Sequence, residues 1–264
     1  MPYIAVMTQP ALFLSHGAPD LAVSDVTART FLRELGARLE RPDAIVIMSA
    51  HHEAGGVAVR APARFRTWHD FGDFGAELHA LRYDAPGDPA LGEEVVRLLD
   101  AAGLQPRRDP GDLIDHGAWV PLLQLFPAAD IPIVMVSIDP SRDSRWHEAV
   151  GRALAPLRGR NILLVGSGSI SHNLRAVFTP GNKDRVWVEG FTDWLEGAIR
   201  EGRREDVLDT MREAPDAARN HPTDEHLLPL FFAYGAGGGE SGRRLHHSYT
   251  WDVLAMDAYA FGEV

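Results

Sequence analysis

Histidine is the residue type with most chemistry to offer here: the 264-residue chain carries 12 of them and no cysteine. A neutral imidazole presents a lone pair near pH 7, which makes histidine both the commonest metal ligand and a ready acid or base. The lack of cysteine removes disulfides, thiolate metal sites and cysteine nucleophiles together. A transition metal in this chain must be held by histidine, carboxylate or water. Several histidines follow short apolar runs. His16 comes after Ala11-Leu12-Phe13-Leu14, and His51 after Ala44-Ile45-Val46-Ile47-Met48 and Ser49-Ala50. His172 lies beyond the run Asn161 to Val165, across Gly-Ser-Gly-Ser. His116 sits in Ile114-Asp115-His116-Gly117, and His226 begins a leucine-rich stretch. The small neighbours Ser15, Gly17, Ala50 and Gly117 leave room for a metal and a substrate beside the backbone. A single histidine of this kind is more often a hydrogen-bonded core or surface residue than a ligand. Five in corresponding places point to a metal site, with iron, zinc, copper or nickel favoured over calcium or magnesium.

Familiar alternatives fail on spacing. His52-Glu53 and His147-Glu148 lack the second histidine of a zincin helix. Gly166-Ser167-Gly168-Ser169 has neither the lysine of a phosphate loop nor the pattern of a nucleophile elbow, and reads as a tight turn before a helix.

The segments that must position these histidines alternate in type. Strand-like runs cover Ala11 to Leu14, Ala44 to Met48, Ile131 to Ile138 and Asn161 to Val165, and Ser248 to Phe261 reads as one or two closing strands. Helical segments are expected from Val26 to Leu39 with Ser24 or Asp25 as cap, from Pro89 to Gly103 after Asp88, and from Asp143 to Leu157. Further helices are expected over Arg185 to Arg200, Arg204 to Arg212 and the apolar Leu227 to Tyr234. This alternation predicts an α/β fold, a single domain over residues 1–264 with a mostly parallel central sheet covered by helices on both faces. Ligands in such sheets gather beyond the carboxyl ends of the strands, where the histidines fall.

The formal net charge of −11 argues against nucleic acid as a partner, since no basic excess exists to neutralise phosphates. No membrane span or secretory leader is apparent, so a cytoplasmic protein is expected, with an oligomer left open.

Five short pieces, in order along the chain, resemble the class III extradiol ring-cleavage dioxygenases, in the DOPA-dioxygenase-like branch. They are Leu12-Phe13-Leu14-Ser15-His16-Gly17-Ala18-Pro19, Ser49-Ala50-His51, Asp115-His116-Gly117-Ala118-Trp119, Ser171-His172-Asn173-Leu174-Arg175, and His221-Pro222-Thr223-Asp224-Glu225-His226-Leu227-Leu228-Pro229-Leu230. The resemblance implies an iron(II) enzyme that opens a catechol with O2; zinc competes well for imidazole sites, so it is expected to occupy the site in some purified protein. It implies metal ligation by His16, His51 and His226. His172 would stand beside the metal as acid/base, or in its shell, and His116 would face the substrate. Glu225 is the alternative third ligand; the Asp-x-His-x-x-Pro pattern favours His226. His52 departs from the branch, where tryptophan is expected, and reads as a residue outside direct ligation.

The stretch Trp68, His69, Asp70, Phe71 and Phe74, with Phe65, is expected to pack as a surface loop or lid more readily than to line the site. Trp119 reads as a core residue or a flank for the ring, and Arg175 as a carboxylate partner or a surface cation. His246-His247 is assigned no role. Two rival functions remain at this point: a zinc-dependent hydrolase in which His172 activates metal-bound water, and a non-catalytic metal-binding protein.

Overall fold

Period-2 burial explains how the apolar runs are used. In the computed structural model, which describes residues 8–179 and 184–264, Ile45 and Ile47 join one apolar cluster while Val46 and Met48 join another. A strand that feeds two cores must lie in a sheet covered on both faces. That sheet has eight strands: β1 (Ala11–Ser15), β2 (Ala44–Glu53), β3 (Ala58–Arg60), β4 (Arg107–Asp109), β5 (Ile133–Ile138), β6 (Ile162–Gly168), β7 (Arg243–His246) and β8 (Ala258–Phe261). Their spatial order is β4-β3-β5-β2-β6-β1-β8-β7. The central β5, β2, β6 and β1 are parallel. At one edge β8 and β7 run antiparallel, and at the other β3 turns antiparallel to β5.

Six longer helices cover the sheet: α1 (Thr27–Arg38), α2 (Pro89–Ala101), α3 (His116–Leu125), α4 (Ser144–Leu154), α5 (Val186–Arg200) and α6 (Leu228–Ala236). Leu32 and Leu35 of α1 and Trp119 and Leu122 of α3 pack on the Ile45 face. Val95 of α2, Leu154 of α4, Phe191 of α5 and all of α6 meet the Val46 face. The expected α/β architecture is the one observed, and no helix among the described residues is long and apolar enough to cross a membrane.

Boundaries differ in instructive ways. Neither Ser24 nor Asp25 caps α1: Val26 takes the cap position without a side-chain bond, a few residues after the 3-10 turn Pro19–Ala22. Asp88 and Asp143 do cap their helices, accepting from Leu91 N and Trp146 N. The helix expected over Arg204 to Arg212 breaks at Asp209, where the Thr210 hydroxyl donates to the Val207 carbonyl at 2.6 Å and competes with the helical ladder. β7 went unanticipated because Arg-Arg-Leu-His lacks apolar alternation; charge on an edge strand is common protection against pairing.

The Gly-Ser-Gly segment is not a turn. β6 runs through it, and the glycines let α6 approach the sheet closely: a Cβ on Gly168 would lie 2.1 Å from the His226 carbonyl oxygen. Since that neighbour is backbone, Gly168→Ala must displace the start of α6. We expect a loss of about 1–3 kcal/mol in unfolding free energy, read by thermal or denaturant unfolding.

Candidate metal centre

Each site histidine is delivered by a different element. His16 directly follows β1, with its amide donating to Gly168 O at 2.9 Å. His51 lies in a β-bulge of β2, where pairing with β5 jumps from Ser49↔Ser137 to Glu53↔Ile138. Bulges re-aim side chains, and this one turns His51 towards the site. His52 points the other way and is buried, with Nε2 3.0 Å from Asp109, which also binds Arg60. It contributes to an ion cluster and does not line the site cavity. His116 is the first residue of α3, capped by Asp115. His226 precedes α6, and His172 follows β6, its amide donating to Asn220 O at 2.8 Å.

The rings converge. His16, His51 and His226 have centroids 4.9–5.4 Å apart, and the His51 and His226 Nε2 atoms are 3.3 Å apart. His116 lies 4.0 Å from His51, and His172 stacks on His226 at 3.4 Å. Ligand atoms of His16, His51 and His116 lie within 4.8 Å of one another, and so do those of His172, Glu225 and His226. All five histidines singled out from the sequence therefore meet in one place.

Their protons are placed by neighbours. Glu225 Oε1 lies 3.0 Å from His226 Nδ1, and a carboxylate only accepts, so the proton sits on Nδ1 and the Nε2 lone pair faces His51. Ser167 Oγ donates to the Gly117 carbonyl and lies 3.1 Å from His16 Nδ1. Its remaining capacity is to accept, which again fixes the proton on Nδ1 and bares Nε2. Asp70 Oδ2 is 3.9 Å from His51 Nδ1. Burial, then the neighbouring imidazoles, holds His16 and His226 well below the usual histidine range, and His51 is lowered to about 4 by the same causes. Neutral imidazoles with converging lone pairs suit a transition metal. Glycine at 117 keeps the space open: a Cβ there would lie 2.8 Å from the His51 ring and 3.1 Å from that of His16.

Asp70 is the residue that sequence reasoning underrated. Its Oδ1 accepts from the His116 amide at 2.9 Å and lies 3.0 Å from His116 Nδ1. Burial alone would raise this carboxyl, yet the His116 contacts bring it below its ordinary range. The signal available was only an acidic residue inside an aromatic loop. From that loop Phe71 and Phe74 line the cavity over the histidines, against the packing expectation. Phe65 is a core residue, and Trp119, fully buried, donates to Trp68 O at 3.0 Å. Arg175 is exposed and outside the lining. His246 stacks on Phe31 and His247 binds Asp257.

A fold of this kind with a buried imidazole cluster defines a metal-dependent enzyme site at the strand ends. The chain matches the family described as the catalytic LigB subunit of aromatic ring-opening dioxygenase over residues 10–262. It belongs to that family and is an extradiol aromatic ring-cleavage dioxygenase, which removes the hydrolase and non-catalytic readings. It is 39% identical to the 4,5-DOPA dioxygenase extradiol of Portulaca grandiflora over 98% of both chains. Its identity with the protein of that name from Escherichia coli (strain K12) is 37%, over 88% of this chain and 86% of the other. A crystal structure of uncharacterized protein JW3007 from Escherichia coli K12 superposes with a TM-score of 0.76 at 32% identity, covering 96% of this chain and 100% of that one.

The local anchor of His116 is open to test. Asp115 Oδ1 accepts from Ser49 Oγ at 2.6 Å and from Ala118 N at 3.1 Å, joining the α3 cap to β2. Asp115→Ala is expected to lower stability by about 1–2 kcal/mol in thermal unfolding, with Asp115→Asn recovering part of the loss.

Proposed function

We propose that this chain is a non-haem iron(II) extradiol dioxygenase that opens the ring of a catechol-type, DOPA-like substrate, with His16, His51 and His226 as the metal ligands. The observation that carries the reading is the convergence of these three imidazoles, two with their protons fixed on the far nitrogen. Glu225 is spoken for as the partner of His226 Nδ1, which favours His226 over Glu225 as third ligand. His116 is the geometric competitor, since Asp70 beside its Nδ1 would leave its Nε2 bare as well; its role towards the substrate rests on the family resemblance. The DOPA-like ring comes from the names of the relatives. An iron(II) ion held there would supply the charge that chelates a diol and the redox capacity to activate dioxygen. Zinc suits the same nitrogen donors, so purified protein is expected to carry some.

His172 is the base in this reading. It lines the cavity, and burial lowers its pKa, so the ring is neutral near pH 7 and free to take a proton from a ring hydroxyl. Glu225 Oε1, 3.7 Å from His172 Nδ1, would stabilise the imidazolium that results. His116, held by Asp70, presents its other ring nitrogen to the cavity as a hydrogen-bonding group for substrate oxygen.

The direct test is anaerobic loading of metal-free protein with iron(II), addition of a catechol panel including DOPA, and admission of oxygen. A yellow ring-fission product with oxygen uptake is expected; neither across the panel would overturn the proposal. Among variants, His16→Ala, His51→Ala and His226→Ala are expected to lose stoichiometric iron. His172→Ala and His116→Ala should keep it, with ring opening slowed by about 10²–10⁴-fold in the former. Metal analysis that finds iron kept in His226→Ala and lost in His116→Ala would exchange their roles. Glu225→Ala is expected to weaken iron affinity by about 10–100-fold without abolishing binding; complete loss would make Glu225 a ligand.

A further inference from the structure

We infer, resting on the ring-opening reading above and keeping from its DOPA-like substrate only the catechol ring, that the substituent on that ring is apolar and uncharged, an alkyl or aryl group and not the zwitterionic tail of DOPA. The cavity over the histidines has a volume of about 300 Å³. Its polar lining is confined to His51, His116, His172 and His226 at the deep end. Among the described residues no Asp, Glu, Lys or Arg lines it. A diol bound at the histidine end directs the ring's other substituents along the apolar walls towards the mouth.

That mouth is apolar as well, and open. Phe74 is 39% exposed, Leu174 47%, Trp251 47% and Phe178 69%, and all four line the cavity. They come from three separate parts of the chain, and exposed apolar side chains grouped around a cavity mark a binding surface. An alkyl or aryl group seated among them gains apolar contact, whereas an ammonium and a carboxylate at this open mouth meet no charged partner among the described residues. The nearby carboxylates are engaged: Asp70 with His116, and Glu225 with His226. Other charges, Asp20, Arg185 and Asp252, line an adjoining cavity that shares only Ala18 and Trp251 with this one. There Arg185 already meets Asp252 at 3.5 Å and the face of Tyr249 at 4.8 Å.

The experiment is anaerobic calorimetric binding to the iron(II)-loaded protein, with 4-methylcatechol, 4-butylcatechol and DOPA as probes. Each added methylene buried against the walls should tighten binding by up to about fourfold. We expect 4-butylcatechol to bind at least about tenfold more tightly than DOPA, with 4-methylcatechol between. DOPA binding equal to or tighter than 4-butylcatechol would overturn the inference. Phe178→Lys, at an exposed site that tolerates change, is expected to shift the preference towards 3,4-dihydroxyphenylpropionate, whose carboxylate the new cation would meet. Arg185→Ala should leave the DOPA-to-butylcatechol ratio unchanged; a selective loss of DOPA binding would instead put a charged tail in the adjoining cavity and refute the apolar one. Turnover is read separately by admitting oxygen. Tight butylcatechol binding without ring opening would sink the dioxygenase reading and leave the binding preference standing, whereas ring opening with DOPA preferred would do the reverse.

Discussion

The site depends on two hydrogen-bond acceptors that never touch the cavity: Glu225 behind His226 and Ser167 behind His16. By taking the Nδ1 protons they leave two bare Nε2 lone pairs facing inward. Only His51 keeps a choice. With its proton on Nε2 it can donate to His226 across 3.3 Å; with the proton on Nδ1 it faces Asp70 Oδ2 at 3.9 Å and completes a set of three bare nitrogens. A third possibility, a shared extra proton, is disfavoured because burial and mutual repulsion push all three pKa values down. A multivalent cation is the remaining way to satisfy all three lone pairs at once. Far-side acceptors orient ligands in this way at many metal sites.

Much of the fold around these contacts exists to hold the backbone close. β1 and β6 are paired in parallel from Ala11↔Leu164 to Ser15↔Gly168, so His16 and Ser167 meet at adjacent strand ends. α6 then rests on the glycine at 168, which brings His226 over the same strand end. The bulge in β2 delivers His51, and Asp115 ties the start of α3 to Ser49 of that strand. Five elements thus meet within one small volume. A shift of one residue in β2 would exchange His51 for His52, sending His51 into the Asp109–Arg60 cluster and His52 into the site.

This contrast explains what could be read from the sequence. The strands were legible because β2, β5 and β6 are buried on both faces and need continuous apolar runs. The five histidines were legible because each stands at the end of such a run or beside a helix start, and the ordered motifs then gave their grouping. What escaped were features set by three-dimensional register. Ser167 looked like part of a turn, since nothing local says that β6 continues or that His16 lies beside it. Asp70 looked like one polar residue in an aromatic loop, since its partner His116 is 46 residues away. The apolar mouth escaped for the same reason, with Phe74, Leu174 and Trp251 far apart in the chain.

One physical cause serves both ends of the cavity. Burial lowers the pKa values of His51, His172 and His226, which keeps these imidazoles neutral and fit to bind a cation or to accept a proton. The apolar walls raise the cost of any charge a substrate brings without a partner. In the proposed reading the ring hydroxyls escape that cost, because His172 would take a proton from one of them and a metal held by His16, His51 and His226 would provide for the resulting anion. A charged tail has no such provision among the described wall residues. If His172 is the base, a site desolvated enough to keep it neutral near pH 7 would favour substrates whose only ionising groups are the ring hydroxyls.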